Sequence, residues 1–329
     1  MCTGLTLETK DGYHLFGRNM DIEYDFNQSI HVVPRNFKWT NRITGETHPM
    51  KHAIIGMATT MEGHPLFADG MNEKGLCCAG LNFPGYALYD ENITEGNINI
   101  GPYDLILWVL SSFETIAEVK AALGKVTLVN KNFAPYAPIP PLHWIAVDKT
   151  GDCIVIEKTK EKLNVFNNTI GVLSNSPTFD WHVTNLRQYM GLQSTQPKNT
   201  TWHKEELKPL GQGVGLIGLP GDFTPASRFL RTAYLKSQDA FLETKESAIS
   251  QFYHILNNVA MVGGSVVTPE EKNDITRYTA CMCQETGVYY YNTYSNNQLN
   301  AIELFKENLD GTEVKTFECI ETLNINYQN

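Results

Sequence analysis

The chain has 329 residues, a formal net charge of −10, 42% hydrophobic residues and 19% charged residues. That apolar content supports a large buried core and excludes global disorder. The acidic balance, with no basic stripe among its 26 Lys and Arg residues, excludes a protein that tracks nucleic-acid phosphates.

The first predicted element is a hairpin. Thr3 to Thr9 alternates as a strand, Asp11-Gly12 signals a turn, and Tyr13 to Asn19 returns. Ala53 to Thr60 reads as a strand, and Leu66 to Gly70 and Leu76 to Asn82 flank a turn at Asn72-Glu73-Lys74-Gly75. Helices follow. Pro102 opens a run through Leu110, and Thr115 with Glu118 forms a capping-box pattern before a helix ended by Gly124. A second strand group covers Leu142 to Val147, Cys153 to Lys158, Leu163 to Phe166 and Ile170 to Ser174, and Pro177 precedes a helix through Gly191. Gln193 to Gly221 reads as a long loop or extension. Thr224-Pro225 starts a helix through Leu235, with Thr as N-cap and Pro in the first turn, and Lys245 to Met261 is a further helix. The end is strand-rich, over Ile275 to Glu285, Val288 to Tyr294, Gln298 to Leu304 and Val314 to Leu323.

At ~150 residues per domain the length suggests two domains. No linker, repeat or low-complexity tract divides the chain, so the reading is a single domain over residues 2–329. Strands and helices come in separate runs, which does not suit βαβ units. An α+β arrangement is expected, with two stacked antiparallel sheets and a helix layer on each outer face.

Seven cysteines, an odd number in a long chain, predict reduced thiols in a cytoplasmic protein. The charged first thirty residues contain no signal-peptide pattern, and the apolar run Leu105 to Leu110 is far below the ~20 residues of a membrane span. Cys77-Cys78 and Cys281-Met-Cys283 do not predict a metal site. The second pair fits strand alternation, and no His spacing completes a ligand set.

Cys2 stands apart by position. Cys is small enough for the initiator Met to be trimmed, which would leave a thiol and a free α-amine on one residue. That amine has a reference pKa of ~7.7–8.0 and can act as the base for its own thiol. The hairpin brings possible partners. A two-residue loop sets Cys2 opposite Asp21. A three-residue loop sets it opposite Met20, with Arg18 on the face of Cys2. A one-residue slip exchanges the faces, so the register stays open.

Met1-Cys2-Thr3-Gly4, Phe16-Gly17-Arg18-Asn19-Met20-Asp21, Asn72-Glu73-Lys74-Gly75-Leu76 running to Gly80-Leu81-Asn82, Leu173-Ser174-Asn175-Ser176-Pro177, and Gly218-Leu219-Pro220-Gly221-Asp222 leading to Ser227-Arg228-Phe229 occur in this order. Together they resemble the choloylglycine hydrolase family of N-terminal-nucleophile hydrolases, most closely its clostridial-type conjugated bile acid hydrolases. The resemblance covers essentially the whole chain. It implies an αββα sandwich that hydrolyses the amide of glycine- and taurine-conjugated bile salts, with no cofactor and no metal. It makes Cys2 the nucleophile, lets Asp21 position the α-amine, and brackets the thiol with Arg18 and Arg228. Asn175 donates to the oxyanion with Asn82 beside it. Met20, Met61, Phe133, Ala137 and Leu142 match the positions that line the family's steroid pocket. Penicillin V acylase is the alternative within the family, but that group usually carries Tyr where this chain has Asn82. The segment 193–221 resembles an assembly loop, which implies a homotetramer.

Overall fold

The opening hairpin sets the frame for the site. In the computed structural model, which describes residues 1–329, β1 (Cys2–Glu8) and β2 (His14–Ile22) pair with Cys2 opposite Met20 and Gly4 opposite Arg18. The loop has three residues. Thr9 N donates to Tyr13 O at 2.9 Å, and Gly12 closes the turn at φ +86°. A glycine in the left-handed region after a type I turn is the usual three-residue solution. This register places Cys2, Arg18 and Met20 on one face of the sheet and Asn19 and Asp21 on the other.

The first face looks inward. A Cβ on Gly4 would lie 3.4 Å from Ile145, on a strand of the second sheet. The other face looks out toward a helix, where Asn19 Nδ2 donates to Leu256 O at 2.9 Å.

β3 (Ser29–Val33) is a strand the sequence reading passed over. His31 at its centre reads as polar, yet it is buried and bonds Thr60 Oγ1 at 2.7 Å. A short pair, β4 (Lys38–Thr40) and β5 (Thr47–Pro49), precedes the meander of β6 (Ile54–Met61), β7 (His64–Asn72) and β8 (Cys77–Asn82). β9 (Ile98–Ile100) pairs in parallel with β10 (Val126–Leu128) around the helices α1 (Leu105–Ser112) and α2 (Ile116–Leu123). The capping box at Thr115 and Glu118 is present.

β11 (Leu142–Val147), β12 (Cys153–Lys158), β13 (Leu163–Asn167) and β14 (Val172–Leu173) follow. The helix expected to Gly191 is shorter. α3 (Phe179–Asn185) gives way to a 3-10 turn ending at Tyr189, because Thr184 and Asn185 are weak helix formers. The extension carries a hairpin of β15 (Thr200–Trp202) and β16 (Glu205–Leu207). α4 (Pro225–Lys236) starts with Thr224 Oγ1 accepting from Ser227 N and proline in the first turn. α5 (Lys245–Asn257) ends four residues early at an Asn-Asn pair. β17 (Ile275–Cys283), β18 (Val288–Thr293), β19 (Asn300–Glu303) and β20 (Lys315–Glu318) close the chain. β20 is shorter than the expected Val314–Leu323 because only these residues pair, on the outer edge of β3.

Two antiparallel sheets result, in the orders β14-β1-β2-β17-β18-β19 and β13-β12-β11-β8-β7-β6-β3-β20. α4 and α5 pack on the outer face of the first, and α1 packs on the outer face of the second. The layering is the expected αββα sandwich. Close approach between strands demands glycine at Gly17, where a Cβ would come 1.9 Å from Ala280 O on β17. Gly17 thereby lets β17 lie against the part of β2 that carries Arg18 and Asp21.

Candidate active site

β1 starts at Cys2, which is buried at the inner face. Arg18 Nη2 donates to Cys2 Sγ, and Met20 Sδ lies 4.0 Å from that sulfur. The fully buried guanidinium also reaches Met20 Sδ, 3.4 Å from Nη2, and three main-chain carbonyls. Its Nη1 donates to Gly80 O and, at 3.3 Å, to Ala68 O, and its Nε donates to Asn19 O at 3.2 Å. Burial by itself would lower its pKa. Cys2 first, then Tyr278, Asp69 and Asp21, outweigh burial and hold it above the ordinary value. Asp69 is fully buried and accepts 2.6 Å bonds from the hydroxyls of Tyr278 and Tyr289. No carboxylate contacts Arg18 directly, so its charge is directed at the sulfur.

The backbone of Cys2 is gripped from the other side. Cys2 N donates to Asn175 Oδ1 at 2.7 Å. Arg228, buried in α4, donates from Nη2 to the same oxygen at 2.7 Å and from Nη1 to Cys2 O and to Thr3 Oγ1. Arg18 therefore meets the sulfur, while Arg228 meets the main chain. Asn175 Nδ2 donates to Asn82 O at 2.6 Å. Asn82 joins the cluster through its carbonyl, at the end of β8 and opposite Leu142 on β11.

Asp21 lies on the outer face. Its Oδ1 accepts from Thr276 Oγ1 at 2.6 Å, its Oδ2 is 3.9 Å from Arg228 Nη1, and that Oδ2 is buried without a hydrogen-bond partner. Met1 continues the ladder one step: Asp21 N donates to Met1 O at 2.8 Å, and the Met1 amine lies 3.5 Å from Asp274 Oδ2.

Several site residues escaped the sequence reading. Thr276 faces Asp21 because β17 bulges at Arg277, so that Thr276 pairs with Asp21 and Tyr278 with Met20. Residues two apart in a regular strand share a face. The inserted residue sends these two to opposite faces, Thr276 to Asp21 and Tyr278 to Asp69. His182 Nε2 donates to Asn175 O at 2.8 Å. Burial lowers its pKa to about 4, so the ring is neutral at neutral pH and presents that single N–H. A histidine with no partner nearby in sequence leaves no signal of this kind.

The expected pocket residues fall into three places. Met20 lies against the sulfur. Leu142 lies beside Asn82. Met61, Phe133 and Ala137 join Tyr103 and Ala134 in a small apolar cluster, with Arg42 stacked 4.5 Å over the Phe133 ring. The remaining cysteines have other surroundings. Burial raises the thiols of Cys77, Cys78 and Cys281, and pushes Cys153 up to about 12. All seven are free.

An αββα sandwich with a buried cysteine heading β1 defines the N-terminal-nucleophile hydrolase fold. Residues 2–317 match the model of the linear amide C–N hydrolases, choloylglycine hydrolase family, and the chain belongs to that family. It is 57% identical to a bile salt hydrolase/transferase of Clostridium perfringens, over 100% of both chains. The structure superposes on the C2A mutant of a conjugated bile acid hydrolase from the same species with a TM-score of 0.95, at 57% identity and 100% coverage of each chain. Penicillin V acylase from Agrobacterium tumefaciens is similar at a TM-score of 0.73 and 19% identity, with 96% of this chain and 91% of that one covered, and shares the fold.

Proposed function

We propose that this chain hydrolyses the amide bond of glycine- and taurine-conjugated bile salts, releasing the free bile acid and the amino acid. One observation carries the reading: the Cys2 sulfur meets a buried guanidinium while the Cys2 nitrogen meets a separate acceptor, Asn175 Oδ1. Nucleophile and base thus reside on one residue with independent partners. The 57% identity to a bile salt hydrolase/transferase supports the substrate class over penicillin V. Colorimetric release of glycine from glycocholate and taurine from taurocholate tests it, with penicillin V turnover as comparator. Penicillin V as the faster substrate would overturn the assignment.

The mechanism begins with loss of Met1, which turns the Cys2 nitrogen into an α-amine. The amine takes the thiol proton, and Arg18 stabilises the resulting thiolate. Sulfur attacks the amide carbonyl, and the oxyanion accepts a hydrogen bond from the Asn175 Nδ2 N–H not bonded to Asn82 O, with the Asn82 side chain beside it. Asp21 Oδ2, buried and without a hydrogen bond, receives the ammonium. The ammonium then protonates the leaving glycine or taurine nitrogen as the C–N bond breaks. Water, deprotonated by the same amine, attacks the thioester and frees the bile acid. Activity is therefore expected to track the fraction of chains that have lost Met1, as counted by intact-mass spectrometry when methionine aminopeptidase is inhibited during expression. Full activity in Met1-bearing protein would refute the amine as base.

Met20, Met61, Phe133, Ala137 and Leu142 form the apolar lining for the steroid body in this reading. The protein is read as a single domain over 2–329 that works as a homotetramer in the cytoplasm. Two features support this. Its seven thiols are free, and its extension exposes Trp202, Leu210 and Ile217, apolar surface of the kind that seeks a partner. Excising the β15–β16 hairpin is expected to lower the sedimenting mass below that of a tetramer, and an unchanged mass would remove the assembly role.

A further inference from the structure

His143 is a fully buried residue on β11 that the mechanism above does not use. Its Nδ1 lies 3.0 Å from Glu157 Oε1, and its Nε2 lies 2.9 Å from Ser174 O. Glu157 is fully buried too, on β12, and its Oε1 also accepts the Phe179 amide proton at 3.0 Å. Both ring nitrogens thus face acceptors. The ring is thus pinned on both edges, by the Glu157 carboxylate on β12 and by the main-chain carbonyl of Ser174.

The position of this pair is informative. The ring of His143 stacks flat on Phe83, with centroids 4.3 Å apart and an interplanar angle of 8°. Phe83 follows Asn82, and Ser174 precedes Asn175. One imidazole therefore touches the neighbour of each amide in the Asn82–Asn175 pair, whose own link is the 2.6 Å bond from Asn175 Nδ2 to Asn82 O. Asn175 in turn sets the Cys2 nitrogen. Asn175 is held besides by Arg228 Nη2 at its Oδ1 and by His182 Nε2 at its main-chain O.

We propose that His143, held by Glu157, is a positioning residue that, through Ser174 and Phe83, sets the Asn175 side-chain amide and the Asn82 carbonyl it bonds against Cys2 during amide hydrolysis. The proposal rests on the reading of Cys2 as nucleophile and acts through Asn175, with no contact to the reacting atoms. His143→Phe keeps a ring for the Phe83 stack and deletes both polar contacts. Glu157→Gln keeps the shape and removes the carboxylate charge that faces His143 Nδ1. Both variants are expected to lower kcat for glycocholate roughly 10-fold with KM little changed, since displacing an oxyanion donor costs less than the ~10²–10³ of deleting one.

The decisive measurement is a double-mutant cycle with Asn175→Ala, run on protein whose fold is checked by thermal unfolding. Coupling through Asn175 predicts that His143→Phe loses most of its effect on kcat in the Asn175→Ala background. Additive effects, or a lowered melting temperature with unchanged kcat in both variants, would overturn the proposal. Glu157→Gln provides the folded variant if His143→Phe is unstable. Cys2→Ala is run alongside: if it retains hydrolysis, the nucleophile reading fails, whereas loss there with additive His143 effects removes the positioning role alone.

Discussion

Replacing Cys2 by alanine is expected to lower kcat for glycocholate by at least about 10⁴-fold, as removal of the nucleophile does in other covalent hydrolases. The fold should survive this change. Arg18 loses the sulfur but keeps Gly80 O, Ala68 O and Asn19 O as acceptors, and Cys2 keeps its backbone bonds to Asn175 and Arg228. Cys2→Ser is expected to fail similarly, because a hydroxyl is a far weaker nucleophile than a thiolate supported by a guanidinium. Amino-acid release measured beside thermal unfolding separates loss of chemistry from loss of structure. Either variant retaining more than a few per cent of activity in a properly folded state would rule out Cys2 as the attacking atom.

The second large effect is expected at Asn175. Its amide serves two functions: Oδ1 accepts from Cys2 N and Arg228 Nη2, and Nδ2 is the donor assigned to the oxyanion. Asn175→Ala should reduce kcat by ~10²–10³, the cost of one oxyanion donor. It should also reduce stability by ~1–3 kcal/mol, because the buried Arg228 Nη2 loses its acceptor. Asn175→Asp retains the acceptor and removes the donor, and sets a carboxylate oxygen against Asn82 O. Kinetics with glycocholate and urea unfolding on both variants give the two numbers independently. Wild-type kcat in Asn175→Asp would eliminate the amide as oxyanion donor.

Much of the site was legible because its members lie in short local patterns. Cys2 was marked by its place after Met1, and Arg18 and Asp21 by their distance from a turn. The helix carrying Arg228 was announced by Thr224-Pro225, which does cap it. Thr276 was invisible, since a bulge in β17 leaves no mark in the alternation of Ile275 to Cys283. The buried histidines were equally silent. His143 and His182 reach partners 14 and 31 residues away in one case and 7 in the other, and nothing in their own neighbourhoods announces those contacts.

The place of Cys2 after Met1 was enough to single it out, and the separate runs of strands and helices were enough to point to two stacked sheets between helix layers. Local chemistry settles such matters: a small residue after Met1, capping patterns, and strand runs that do not alternate with helices. The hairpin register was beyond sequence, because Asp11-Gly12 suits a two-residue and a three-residue loop alike. Only in the folded chain does β17 pair along β2 and the second sheet offer Gly80 O and Ala68 O to Arg18, the contacts that accompany the three-residue loop with Gly12 at φ +86°. That choice sends the thiol inward to Arg18 and leaves Asp21 outside with Thr276 and Arg228, the separation on which the proposed division between nucleophile and base depends.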